Sequence, residues 1–232
     1  PRHTTPRAMK LAAPVLIAGQ GLAGTLLARA LLRRGRTVRV LDPGHGEAAS
    51  RIAAGLVNPV TGERWVARPD FAARWAEAAA CYRDCEAWLG VPLVRPLRIR
   101  REWRDAAEAA AVSAKIARGA LAPWVTSAAV DADGAWITGA WRVDLPALIA
   151  AARARGLAEG WLEPRALAAE EAARWPGPVV WCIGVAETRL AALTPVRGTV
   201  LRLCLDPATP LAPDVVRHRG HWVLPLIANE AC

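Results

Sequence analysis

Three glycines within six residues constrain this chain more than any other feature. Residues 15–18 form an apolar run and Gly19-Gln20-Gly21-Leu22-Ala23-Gly24 follows. Leu22, Leu26, Leu27, Ala30 and Leu31 then recur at helical spacing as far as Gly35, and Val38-Arg39-Val40-Leu41-Asp42 reads as a second strand. The order strand, glycine turn, helix, strand predicts the opening of a parallel α/β layer. Gly19 permits a tight turn, Gly21 lets the backbone approach a pyrophosphate, and Gly24 with Ala28 lets the helix lie close on the strands. A helix N-terminus offers unpaired N–H groups and the positive end of its dipole to phosphate. Asp42, eighteen residues beyond Gly24 (24 to 42), falls where a carboxylate accepts hydrogen bonds from a ribose diol. A glycine-rich turn by itself can be a plain connection. Strand, turn, helix and carboxylate in this order together predict a ligand containing adenosine and a pyrophosphate.

At 232 residues the chain is long enough for one large domain or two small ones, and 53% hydrophobic residues suffice for a substantial core. Its net charge of +9 rests almost wholly on arginine, with Lys10 and Lys115 as its lysines. The arginines are scattered and do not alternate with aromatics, so biased composition explains them better than a nucleic-acid surface. Five cysteines, an odd number without a Cys-x-x-Cys pair, argue against a disulfide framework and a zinc site, and a reducing cytoplasm is the expected setting. Cys81 and Cys85 stand one helical turn apart, but no further ligands follow at metal-site spacing. Arg2, Arg7 and Lys10 precede an apolar stretch as in an export signal. That stretch contains the glycine fingerprint, so the fold explains it, and no window is apolar for long enough to span a bilayer. Residues 1–8 read as a leader, with Met9 a plausible start.

Beyond Asp42, Pro43-Gly44-His45-Gly46 is a turn, and Ser50-Arg51-Ile52-Ala53-Ala54-Gly55 is a run of small residues whose amides can approach a bulky group. Asp70 is a candidate N-cap for a helix carrying Phe71, Trp75, Ala78, Tyr82, Cys85 and Leu89, and Gly90 a candidate stop. A strand over 93–100 and a helix over 103–118, ending at Gly119, complete what reads as an inserted domain. A strand over 135–143 leads to Asp144 as cap for a helix over 145–155, stopped by Gly156. Residues 178–184 predict a buried parallel strand whose Gly184 approaches the same nucleotide. Strands are expected over 198–205 and 221–227, separated by a loop with Pro207, Pro210 and Pro213.

Together these residues resemble the FAD-dependent oxidoreductases of the D-amino-acid oxidase family, which includes glycine and sarcosine oxidases. The resemblance rests on residues 15–42, on 50–55, on 179–184, and on Pro195-Val196-Arg197-Gly198-Thr199-Val200-Leu201 with His221-Trp222-Val223-Leu224-Pro225. It implies an α/β fold, a Rossmann-like FAD-binding domain of parallel sheet and helices interrupted by an α+β substrate domain. The expected division is 9–65 plus 130–197 for FAD binding, and 66–129 plus 198–232 for an incomplete substrate domain. By this resemblance Gly19, Gln20, Gly21, Leu22, Ala23 and Gly24 surround the pyrophosphate and Asp42 takes the adenosine ribose. Ser50, Arg51, Ala54, Gly55 and Gly184 lie toward the flavin. FAD is expected to be noncovalent, since no His or Cys follows Ser50 in the pattern of covalent attachment. The family oxidises a C–N bond by hydride transfer to flavin, the protein positioning and tuning the cofactor. Nothing in Ala228-Asn229-Glu230-Ala231-Cys232 resembles the family's closing flavin segment, so the chain reads as truncated at its C-terminus.

Catalytic residues are the least marked. Trp222 stands where the family often has an aromatic near substrate, and Arg64 is a candidate to steady a carboxylate; packing is the alternative for a tryptophan and solvation for an arginine. An NAD(P)-dependent dehydrogenase is an alternative, since it uses the same glycine pattern and ribose carboxylate. The break in βαβ rhythm near Val66 argues against it. A catalytically inactive nucleotide-binding fragment is a further alternative. A small amine or amino acid is the expected partner, with a modified tRNA base the less favoured one.

Overall fold

The computed structural model describes residues 13–44, 46, 48–186, 194, 196, 198–204 and 211–225. The expected leader and start at Met9, His45, Pro195, Arg197, Leu205, Pro207, Pro210 and segment 226–232 lie outside them. The chain divides into two compact units, residues 1–51 with 149–196 and residues 52–148 with 197–232. Elements are numbered along the chain.

The first unit grows from β1 (Val15–Ala18), apolar and buried throughout, as a central parallel strand must be. β2 (Val38–Leu41) pairs parallel on one side of it and β9 (Val179–Trp181) on the other, while β8 (Leu162–Glu163) extends the sheet beyond β2. The order β8-β2-β1-β9 has β1 between neighbours reached in opposite directions, the arrangement that opens a ligand crevice at the strands' carboxyl ends. β9, at a sheet edge, is partly exposed rather than buried. Helix α1 (Leu22–Leu32) turns Gly24, Thr25 and Ala28 inward, leaving Leu22, Leu26 and Leu27 half-buried. The buried stripe is thus the small-residue one, because only small side chains let the helix approach closely. Short α2 (Ala49–Ile52) follows β2, and short α6 (Ala169–Arg174) precedes β9.

The second unit holds a five-stranded sheet. β6 (Val94–Glu102) pairs antiparallel with β7 (Gly134–Val143), which pairs antiparallel with β3 (Leu56–Val57). On its other side β6 pairs parallel with β10 (Val215–Arg219), itself antiparallel to β11 (His221–Val223). β4 (Val60–Thr61) and β5 (Val66–Ala67) form a separate hairpin. Leu97 and Ile99 of β6 and Ile137 of β7 pack with Trp65, Trp103 and Val112, the last from α4 (Ala106–Ala117). Asp105 caps α4 by accepting from Glu108 N–H at 2.7 Å. Helix α3 (Phe71–Leu89) stops at Gly90, whose φ of +71° closes it as expected. Asp70 precedes it, but its carboxylate takes Arg74 and Arg68 instead of a backbone N–H.

Several expectations shift. The division falls at 51/52 and 148/149 rather than 65/66 and 129/130, because pairing of β3 and β6 with β7 draws all three into the second unit. Asp144 does cap α5 (Leu145–Ala158), accepting from Ala147 N–H at 2.9 Å, but the helix runs through Gly156. A Cβ there would meet the Trp161 ring at 2.7 Å, so Gly156 serves packing rather than termination. Trp103 precedes α4 and is buried in the core. Residues 198–204 have no strand pairing, and described strand structure after 220 ends at Val223.

Candidate functional site

The glycine turn lies at the carboxyl end of β1, and the three glycines have three separate reasons. Gly19 has φ +95°, and a Cβ on it would lie 2.5 Å from the Cys182 carbonyl oxygen at the end of β9. A Cβ on Gly24 would lie 1.9 Å from the Gly19 carbonyl oxygen. Both are excluded by sterics within the unit. Gly21 has an extended conformation open to any residue (φ −78°, ψ −165°), and a Cβ there would meet only the Ser50 hydroxyl, at 3.2 Å. Gly21 therefore keeps space clear of side chain above the turn without being needed for folding. The residues fit a pyrophosphate at this place: an uncharged first turn of α1, a bare backbone at Gly21 and the end of a helix dipole.

Ser50, on α2, reaches the same point. Its Oγ accepts from Leu22 N–H at 3.1 Å, occupying one of the first-turn donors of α1. The hydroxyl keeps its own proton to donate. Ala23 is exposed on that turn, and Arg51 is partly buried on α2. Gly184 follows β9 with φ +59° and open space beside its Cα.

Asp42 directly follows β2, with its side chain largely buried. Its Oδ2 accepts from Gln20 N–H at 2.8 Å, and its Oδ1 accepts from Gly44 N–H at 2.7 Å and from Arg153 Nη1 at 2.9 Å. Arg153 Nη2 also donates to the Asp42 carbonyl oxygen at 3.2 Å. Gln20 turns its side chain inward, donating to Thr25 Oγ1 at 3.2 Å and to the Ile149 carbonyl oxygen at 2.9 Å. The sequence reading places Gln20 beside the cofactor; in the structure it ties the turn to α1, β2 and α5. Cys182, next to the turn, has its thiol pushed up by burial and stays protonated at neutral pH.

The other expected residues belong to the second unit. Gly55 (φ +67°) accepts from Val143 N–H at 2.9 Å, and a Cβ on it would strike the Val143 carbonyl oxygen at 1.9 Å, so its glycine is needed to pair with β7. The Ala54 carbonyl accepts from Arg142 Nε at 3.1 Å. Arg64 is exposed in the turn between β4 and β5. Trp222 is exposed on β11 with its ring 4.1 Å from that of His218. Among the described residues no group of three or more His, Cys, Asp or Glu is arranged to hold a metal. Among them, no helix is long and apolar enough to cross a membrane.

No family model matches the sequence, and no curated protein does. Solved structures do. Glycine oxidase from Geobacillus kaustophilus is similar with a TM-score of 0.50 at 22% identity, over 66% of this chain and 46% of that one. Over the matched residues the fold is that of the corresponding part of glycine oxidase. Iminodiacetate oxidase from Chelativorans sp. BNC1 is similar at 24% identity and a TM-score of 0.43, over 64% and 46% of the two chains. Dithionite-reduced L-α-glycerophosphate oxidase from Mycoplasma pneumoniae, solved with FAD bound, is similar at 16% identity and a TM-score of 0.40, over 66% and 44%. The chain spans less than half the length of each of these structures. With the glycine-oxidase fold in place, Gly19–Gly24, Asp42 and Ser50 stand together at the carboxyl ends of parallel strands, and Arg153 joins them. Sequence reasoning missed Arg153: it lies 111 residues from Asp42 on a helix whose periodicity shows only packing.

Proposed function

We propose that this chain belongs to an FAD-dependent oxidoreductase that oxidises the C–N bond of an amino acid or secondary amine, and that it carries the adenosine-diphosphate half of the cofactor site. The observation that supports this most is Gly21, a glycine kept without need of its conformation at the mouth of a helix N-terminus, with an acidic residue at the end of the adjoining strand. Gly21 and Ala23 would take the pyrophosphate through backbone N–H groups, Ser50 would donate its hydroxyl to it, and Asp42 would accept from the adenosine ribose. Bound FAD, held noncovalently, supplies the hydride acceptor for the C–N bond. Arg51 and Gly184 are proposed to border the flavin side, with Arg64 and Trp222 as candidates toward substrate.

The architecture favours this reading over a nicotinamide dehydrogenase. After β2 the chain leaves the parallel sheet for the whole of residues 52–148 and returns only with β8 and β9. A small amine is favoured over tRNA because three arginines of the five-stranded sheet are matched by acids, Arg98 by Asp214, Arg100 by Asp131 and Arg217 by Glu102. The test is anaerobic mixing of FAD-loaded protein with a panel of amino acids and secondary amines. Bleaching of the flavin absorbance by one class supports the proposal. A flavin that binds but is bleached by none of them, while NADH reduces it or binds in its place, refutes it.

A further inference from the structure

An ionised carboxylate has about four acceptor positions, two on each oxygen. Asp42 has three of them filled by its own protein: Gly44 N–H and Arg153 Nη1 on Oδ1, and Gln20 N–H on Oδ2. Among the described residues these three contacts leave a single position on Oδ2 for a ligand. The Arg153 guanidinium is held by three hydrogen bonds, 2.9 Å to Asp42 Oδ1, 3.2 Å to the Asp42 carbonyl and 3.5 Å to Gln20 Oε1, and Gly44 leaves room for it, since a Cβ there would stand 3.1 Å from Nη2. Its side chain and that of Asp42 are 18% and 11% exposed, so this ion pair is screened by solvent far less than a surface pair.

We propose that Arg153 is a positioning residue that makes Asp42 a one-hydroxyl acceptor, so that the adenosine ribose is recognised through one of its two hydroxyls rather than through both. The inference rests on the nucleotide reading given above. Arg153 does this by closing Oδ1 and by fixing the carboxylate so that the remaining position on Oδ2 faces one direction. Without Arg153, Oδ1 regains an acceptor position and the carboxylate is free to bridge the two hydroxyls.

Calorimetric titration of the chain with ADP, 2′-deoxy-ADP and 3′-deoxy-ADP separates the possibilities. For the unaltered protein one deoxy analogue binds about tenfold more weakly than ADP, the loss of one hydrogen bond to a charged acceptor, and the other binds within about twofold of ADP. Arg153→Lys, which keeps a cationic donor, preserves that ratio between the analogues. Arg153→Met brings the ratio close to one. A role confined to holding the fold together would weaken all three ligands alike and leave the ratio unchanged in Arg153→Met, which overturns the inference. So does equal weakening by both deoxy analogues in the unaltered protein, a result that stands even where Arg153→Met does not fold. Failure of the unaltered protein to bind ADP at all overturns the nucleotide reading itself, and is distinct from either.

Discussion

Gly21 and Gly24, three residues apart, are expected to fail in opposite ways when each is replaced by alanine. At Gly24 the new Cβ falls 1.9 Å from the Gly19 carbonyl oxygen. Relief needs a movement of roughly 1 Å or more between the turn and α1, and the oxygen belongs to backbone, which cannot swing aside as a side chain does. Overpacking of this kind costs about 3 kcal/mol, or roughly 6–12 °C in Tm for a chain of this length. At Gly21 the backbone is already extended and the nearest atom to a new Cβ is a rotatable hydroxyl at 3.2 Å, so Gly21→Ala should leave Tm within roughly 2 °C. Its methyl stands in the space proposed for pyrophosphate, and FAD or ADP affinity should fall about tenfold or more. Differential scanning fluorimetry without nucleotide, followed by ADP titration of the folded variants, gives both readings. Equal Tm losses in the two variants, or unaltered ADP affinity in Gly21→Ala, would refute the assignment of one glycine to packing and the other to the ligand.

Other outcomes follow from the same contacts. Ser50→Ala removes the acceptor of Leu22 N–H and should cost about 1 kcal/mol in the nucleotide-free protein, read by urea unfolding, with a smaller loss at saturating ADP if phosphate takes up that N–H. In the second unit, Glu108 accepts from Trp65 Nε1 at 3.0 Å and from Arg104 N–H at 2.9 Å, beside a buried Arg101 whose guanidinium lies 4.1 Å from the Trp65 ring centre. Glu108→Ala leaves that cation uncompensated and should destabilise by about 3–5 kcal/mol in a urea melt. Glu163 is held below the ordinary carboxylate value first by its hydrogen bond from Arg39 and, against some desolvation, by Arg165. Because the folded value is the lower one, its contribution is complete above the unfolded value near 4.5 and is lost as pH falls through the folded value. Arg39→Gln should therefore flatten the decline of Tm between about pH 5 and pH 3, and an unchanged acid slope would contradict the pairing.

The first unit was legible in the sequence wherever one segment made its own statement. Apolar 15–18 could only be a buried strand, and the turn that follows needs glycine at 19 and 24 for reasons local to strand and helix. β8 was not legible, because two residues paired to β2 carry no periodicity. Gly156 reads as a stop, since its packing against Trp161 depends on a fold the local sequence does not state. The domain edges moved for a related reason: β7 reads equally well as the return of the parallel layer, and only its long antiparallel ladder with β6 assigns it to the second unit. Asp42 is marked in the sequence by its spacing and Ser50 by the family resemblance, whereas Arg153, one arginine among many on an alanine-rich helix, is marked by neither.

The adenosine-diphosphate half-site is tested most directly by equilibrium titration of FAD followed by flavin fluorescence, with ADP as competitor. Saturable FAD binding that ADP displaces, and that Gly21→Val abolishes while remaining folded, is the predicted result. FAD that does not bind, or that binds equally well to Gly21→Val and is not displaced by ADP, would contradict it.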